Sequence, residues 1–205
     1  MHRYEVLSSR TAFEGHVISL RSDVVDMPGG VTAQRDVVVH PGAVAVLALR
    51  GEGAAAEVLL VNQYRHPVGR RLDELPAGLL DVAHEAALSA AQRELAEEAG
   101  CAAATWHVLV DVLTSPGMTD EAIRVFLAQD LSPCARDVQE HEEVDMTASW
   151  VLLDDALRAV LGGELENAMA VVGVLAAAEV VRSGTAALRP ADAPWRSRPD
   201  AAPNS

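Results

Sequence analysis

Arg93, Glu94, Glu97 and Glu98 put four charged side chains into six positions of an Ala-rich run that ends at Gly100. On a helix of 3.6 residues per turn, Glu94 and Glu98 lie on one face, a turn apart. Arg93 and Glu97 share that spacing on the adjoining strip, where an ion pair can form. Two like charges at i,i+4 destabilise an isolated helix by roughly 0.2–0.5 kcal/mol. The C-terminal end of the macrodipole disfavours anions as well. A divalent cation compensates both costs, and hard carboxylate oxygens suit Mg²⁺ or Mn²⁺. Clustered glutamates on an Ala-rich helix are by themselves most often a solvated face with side pairs. The surrounding elements decide between the two.

The helix is expected over Ala87–Ala99, with Gly100 as its C′ cap. It follows a loop containing Gly78 and Glu85. Before that, Val44 to Leu49 and Val58 to Tyr64 read as buried strands, and Leu72 to Leu75 as a short strand carrying Glu74. Pro76-Ala77-Gly78 then fixes a turn at which backbone carbonyls can approach a ligand. Between the strands, Gln63 to Arg71 is the densest basic patch of an acidic chain. It is either a solvated loop or a phosphate clamp; Arg65, Arg70 and Arg71 carry the guanidinium geometry that grips phosphate oxygens. Arg65, leaving the end of a strand, is the first choice.

After the helix, strands are expected at Trp106 to Leu113 and Ile123 to Gln129, joined by a loop over 114–121 that holds Pro116 and Met118. An acidic stretch, 139–145, precedes a strand at Trp150. Helices are expected over Asp154–Leu161 and Asn167–Val181, the second apolar nearly all round. At the N-terminus, residues 4–9, 17–27 and 34–40 read as a small antiparallel unit turned by Pro28-Gly29-Gly30. A hairpin unit of this size is marginal in water, so it must pack on the rest of the chain or on a second copy. From Ser183 onward Gly, Ala, Pro and Arg dominate, and this tail is expected to be extended or disordered. The expected divisions are 1–40, 41–182 and 183–205.

The order Gly78, Glu85, Arg93-Glu94-Leu95-x-Glu97-Glu98-x-Gly100 closely resembles the box of the Nudix family. Gly78 and Glu85 are separated by six residues where that box has five; the extra residue falls in the loop and leaves the Glu94/Glu98 geometry intact. Pro116, sixteen residues after Gly100, and the run Glu74 to Gly78 resemble the ADP-ribose pyrophosphatase subgroup. The resemblance implies an α/β/α sandwich with a mixed sheet, plus a small N-terminal antiparallel β subdomain. It implies Mg²⁺-dependent hydrolysis of the diphosphate of ADP-ribose, with Glu94, Glu98 and the Ala77 carbonyl as primary metal ligands. Glu97 is a further ligand or supporting group, and Glu85 joins through water. A loop glutamate acts as general base, Glu143 first and Glu142 second. Substrate contacts are Arg65, Glu74, Arg70 and Met118. The resemblance also implies a homodimer joined through the N-terminal strands. Rival readings are another nucleoside diphosphate sugar as substrate, or a domain that binds ADP-ribose without cleaving it.

Composition narrows the classes. With 205 residues, 50% hydrophobic and 22% charged, the chain builds one core, and its 3% aromatic share leaves that core to Val, Leu and Ala. A net charge of −14 repels nucleic-acid phosphates. Cys101 and Cys134 have no metal-ligand spacing and suit a reducing cytoplasm. The most apolar segment, Ala168 to Ala178, is too short to span a membrane.

Overall fold

The computed structural model describes residues 3–135 and 145–198. Glu142 and Glu143 lie outside the described residues. The chain divides into two compact units. The first comprises residues 1–42, 113–123 and 197–205, and the second 43–112 and 124–196.

In the first unit, β1 (Val6–Glu14), β2 (Ser19–Met27) and β3 (Val31–Val39) form a three-stranded antiparallel sheet in the order β1-β2-β3. The loop over 114–121 belongs to this unit, which chain order alone does not reveal. Val38 and Thr119 make a parallel bridge, the Val38 N–H donates to the Met118 carbonyl (2.8 Å), and the His40 N–H donates to Asp120 (2.9 Å). His40 Nδ1 accepts from the Gly42 N–H, so the ring proton sits on Nε2, facing Glu121 at 3.4 Å.

The second unit contains β4 (Ala43–Arg50), β5 (Glu57–Arg65), β6 (Arg70–Glu74), β7 (Ala77–Leu79), α1 (Ala87–Ala99), β8 (Cys101–Leu113), β9 (Ala122–Pro133), β10 (Thr147–Leu152), α2 (Leu153–Gly162), α3 (Ala168–Ser183) and β11 (Arg189–Pro190). The sheet runs β10-β5-β4-β9-β8-β11, with β6 on β5 and β7 on β4. Seven consecutive residues of β4, Ala43 to Leu49, are buried. An unbroken apolar strand of this kind is covered on both faces. Val44, Val46 and Ala48 join Ala90, Ala91 and Leu95 of α1 in one core cluster. Leu47 points the other way, since successive side chains alternate. There it meets α3, which comes so close that a Cβ on Gly173 would stand 2.8 Å from Leu75 and 3.2 Å from Leu47. Helices thus cover both faces of the sheet. The Asn167 side chain caps α3, accepting from the Met169 and Ala170 N–H groups at 3.0 Å.

Within the tail expected to be extended or disordered, residues 189–195 are clasped to the sheet. Arg189 and Pro190 pair with Val108 and His107 of β8. Arg124, 3% exposed, donates twice to Asp111 (2.7 and 3.1 Å) and once each to the carbonyls of Ala193 (2.7 Å) and Pro194 (3.2 Å). Its guanidinium lies 5.0 Å from the Trp195 ring centroid. Carbonyls need no regular structure to accept a hydrogen bond, so proline does not prevent this latch.

Arg124→Ala leaves Asp111 its Arg189 partner but removes the hydrogen bonds to Asp111, Ala193 and Pro194, and should lower the free energy of unfolding by roughly 1.5–3 kcal/mol in a urea titration. Burial pushes the Asp111 carboxyl up, but hydrogen bonds from Arg124 and Arg189 outweigh it and hold the group below 3.8. A depressed folded-state value stabilises above the unfolded one and loses that effect as the pH falls through the folded value. The stability difference between wild type and Asp111→Asn is therefore expected in full above pH 3.8, and to shrink below it.

Candidate active site

Helix α1 has no side-chain cap at its start. It stops where expected, at Gly100, whose φ of 60° lets its N–H reach the Ala96 carbonyl at 2.9 Å. Ala90, Ala91 and Leu95 face the sheet, and the same buried stripe continues through Glu94 and Glu98. These two carboxylates are only 7% and 4% exposed. They occupy positions where the 3.6-residue repeat would otherwise place apolar side chains.

The pairing of β7 with β4 sets Gly78 opposite Val44 and brings the turn beneath the helix. A Cβ on Gly78 would lie 1.9 Å from Glu94 Oε1. This glycine is required for space: any side chain would expel the carboxylate. One residue earlier, the Ala77 N–H donates to Glu98 Oε2 at 3.0 Å. Arg93 gathers the rest. Its Nη1 donates to Glu94 (2.6 Å) and Glu97 (3.1 Å), while Nε and Nη2 grip both oxygens of Glu85 at 3.2 and 3.1 Å. The Glu85 bond, aided by Glu94 and Glu97 and opposed by burial, raises Arg93 far above its ordinary range. Arg93 stays charged at any working pH.

Glu85, Glu94 and Glu97 thus meet at Arg93, and Glu98 meets the Ala77 N–H beside them. No three His, Cys, Asp or Glu side chains are closed into a ligand set among the described residues. The carboxylates instead turn toward Arg93 and the Ala77 N–H. Even so, the donor set fits a hard divalent cation. Four carboxylates stand against one guanidinium in this group, and two of the four are nearly out of water, where unbalanced charge is costly.

The basic patch differs from its expectation. Strands β5 and β6 pair as a hairpin, with Arg65 opposite Arg70 and Tyr64 opposite Arg71. Each of the three arginines has an acidic partner. Arg65 grips Glu74 in bidentate fashion at 2.9 and 2.8 Å, and Glu74 is 3% exposed. Glu74 is expected to contact the substrate; here both its oxygens accept from Arg65. Arg70 is ion-paired with Glu166. Arg71 binds Asn62 and Asp145. Met118 belongs to the first unit, where its side chain is exposed. No sequence signal marked Asn62, Asp145 or Glu166 as partners of these arginines, because the pairs lie across strand pairings or far along the chain.

Residues 39–170 match the NUDIX domain, more than half of the chain, and the protein belongs to the Nudix family. The chain is similar to an ADP-ribose pyrophosphatase of Mycobacterium tuberculosis, 49% identical over 200 residues that cover 98% of this chain and 95% of the relative. An ADP-ribose pyrophosphatase of Bacillus subtilis is 39% identical over 166 residues, covering 80% of this chain and 86% of its own length. A crystallised ADP compounds hydrolase superposes with a TM-score of 0.77 at 19% identity, covering 89% of this chain and 96% of that one, a likeness of fold.

Gly78→Ala should displace the Glu94 carboxylate. Affinity for Mn²⁺, read by isothermal titration, is expected to fall about 10–100-fold, with the circular dichroism spectrum unchanged.

Proposed function

We propose that this protein hydrolyses the diphosphate of ADP-ribose to AMP and ribose 5-phosphate, using Mg²⁺ or Mn²⁺. The observation that carries the reading is the buried pair Glu94 and Glu98, seated on the core face of α1 above a glycine that leaves room for nothing else. The names of the two bacterial relatives supply the substrate class, and both align over at least four-fifths of their own length.

Glu94 and Glu98, with the Ala77 carbonyl, would hold the cation, Glu97 and Glu85 supporting them. Bound there, the cation would neutralise phosphate charge and lower the pKa of a water. Arg93 keeps Glu85, Glu94 and Glu97 from springing apart before a cation arrives. Arg65, its inner edge fixed by Glu74, orients phosphate oxygens. Glu143, or Glu142 beside it, accepts the proton of the attacking water as the P–O bond between the two phosphates breaks. That loop role rests on the family resemblance.

A homodimer belongs to the same reading. All nine residues of β1 are exposed, among them Val6, Leu7 and Phe13, and Tyr4 precedes them. Such a strand is supported by a second copy. Two half-buried free cysteines suit a cytoplasmic location. Among the described residues no helix is long and apolar enough to cross a membrane.

AMP release from ADP-ribose should require the divalent cation and should fall by roughly 10²-fold or more in folded Glu98→Gln. Faster turnover of GDP-mannose would move the substrate to another nucleoside diphosphate sugar. Tight binding of ADP-ribose without AMP would favour the sensing domain. Light scattering should give about twice the 21.7 kDa chain mass; a monomer removes the dimer.

A further inference from the structure

Gln63 carries a buried side-chain amide without a partner. The residue is 9% exposed, and among the described residues its amide makes no hydrogen bond. A buried polar group left in this state costs stability, and folded chains keep few of them. Beside a binding site, it has the form of a group held ready for a ligand.

The place of Gln63 in β5 says which ligand. Side chains alternate along a strand, so Gln63 shares a face with Leu59, Val61 and Arg65. Leu59 belongs to the core cluster with Ala90, Ala91 and Leu95 of α1, so this is the face the helix covers. In the pairing with β6, Arg70 stands opposite Arg65, Leu72 opposite Gln63 and Glu74 opposite Val61. To grip Glu74, the Arg65 side chain must therefore run back past the row formed by Gln63 and Leu72. Gln63 flanks that ion pair, and three residues beyond Glu74 the Ala77 N–H meets Glu98. An amide offers donors and an acceptor side by side. A phosphate oxygen only accepts, and would leave the amide oxygen facing an anion. A hydroxyl donates and accepts, and satisfies both ends. Residues two apart on a strand are spaced by about 7 Å. A group meeting Gln63 is thus the near neighbour of a phosphate meeting Arg65, and in a nucleoside diphosphate sugar that neighbour is a sugar ring, with the base one unit farther.

We propose that Gln63 is a substrate-binding residue that hydrogen-bonds a sugar hydroxyl next to the diphosphate. The proposal rests on the reading above, in which the substrate is ADP-ribose and Arg65 orients its phosphates. Either ribose has the chemistry, and the two hydrolysis products separate them.

Wild type and Gln63→Met are compared by thermal unfolding, by steady-state hydrolysis of ADP-ribose with Mg²⁺, and by product inhibition. Methionine keeps the length of the side chain and removes its donors and acceptor. Tm is expected to stay the same or rise, because an unpaired buried amide gives way to an apolar group. The value of kcat/KM should fall roughly three- to tenfold, the loss of one hydrogen bond. Inhibition should weaken by a similar factor for one product, ribose 5-phosphate if the terminal ribose makes the contact and AMP if the nucleoside ribose does. In the second case dideoxy-AMP, which lacks both hydroxyls, should inhibit the two proteins alike. An unchanged kcat/KM, a lowered Tm, or inhibition weakened for neither or both products would overturn the assignment. So would weaker inhibition of the variant by dideoxy-AMP, which places the contact on the base. Wild type without turnover sinks the functional reading and this contact with it, whereas an active wild type matched by Gln63→Met sinks the contact alone.

Discussion

Carboxylates drawn together out of water repel one another and lose hydration, and α1 nevertheless carries two of them on its core face. The rest of the second unit can be understood as the means of keeping them there. Ala90, Ala91 and Leu95 press the helix onto β4 and supply the apolar burial that Glu94 and Glu98 do not. The three-residue strand β7 brings a side-chain-free Cα under one carboxylate and a backbone N–H to the other. Arg93 then bonds three glutamates from two segments of chain, so that repulsion among them is offset by attraction to a common partner. Each part is small, and each depends on the others for its place.

That role could not fall to lysine, and the chain contains none: all sixteen basic residues are arginines. An ammonium is a point charge on a flexible stem, whereas a guanidinium presents a rigid fork of donors. Arg93, Arg71 and Arg124 use the fork to hold two or more separate groups, and Arg65 uses it to lock one carboxylate in bidentate register. In a chain with thirty acidic residues, such multivalent partners let each arginine restrain acidic side chains and backbone carbonyls together. The same property turns Arg124 into the clasp for a proline-rich segment that has almost no regular structure of its own.

What could be read from the sequence was local. The helix ends where Gly100 allows, and Glu94 and Glu98 share a face because 3.6 residues per turn requires it. Both follow from short-range geometry, as does the unbroken apolar run of β4 that marks a strand covered on both sides. The long-range pairings were not legible. Nothing in Gln63 to Arg71 says that Arg65 will meet Glu74, Arg70 will meet Glu166, or Arg71 will meet Asp145, because strand register and chain return decide those meetings. Arg124 finds its carbonyls some seventy residues downstream. Likewise the loop over 114–121 joins the N-terminal sheet through a bridge that no periodicity announces.

These pairings change how phosphate recognition has to work. A basic patch in sequence suggests that arginines attract a diphosphate by charge alone. In the folded chain Arg65, Arg70, Arg71 and Arg93 each stand against at least one carboxylate, so the group as a whole carries no positive excess. In its proposed role Arg65 would still direct donors at phosphate oxygens, since hydrogen-bond geometry survives when net charge is cancelled. The attraction itself must come from elsewhere, because a diphosphate brought toward surplus carboxylates is repelled at short range. In the function proposed above, divalent cations would meet that requirement, and they would relieve the crowding of the glutamates. The cation is thus demanded twice, by the helix that gathers carboxylates and by the polyanion that must approach them.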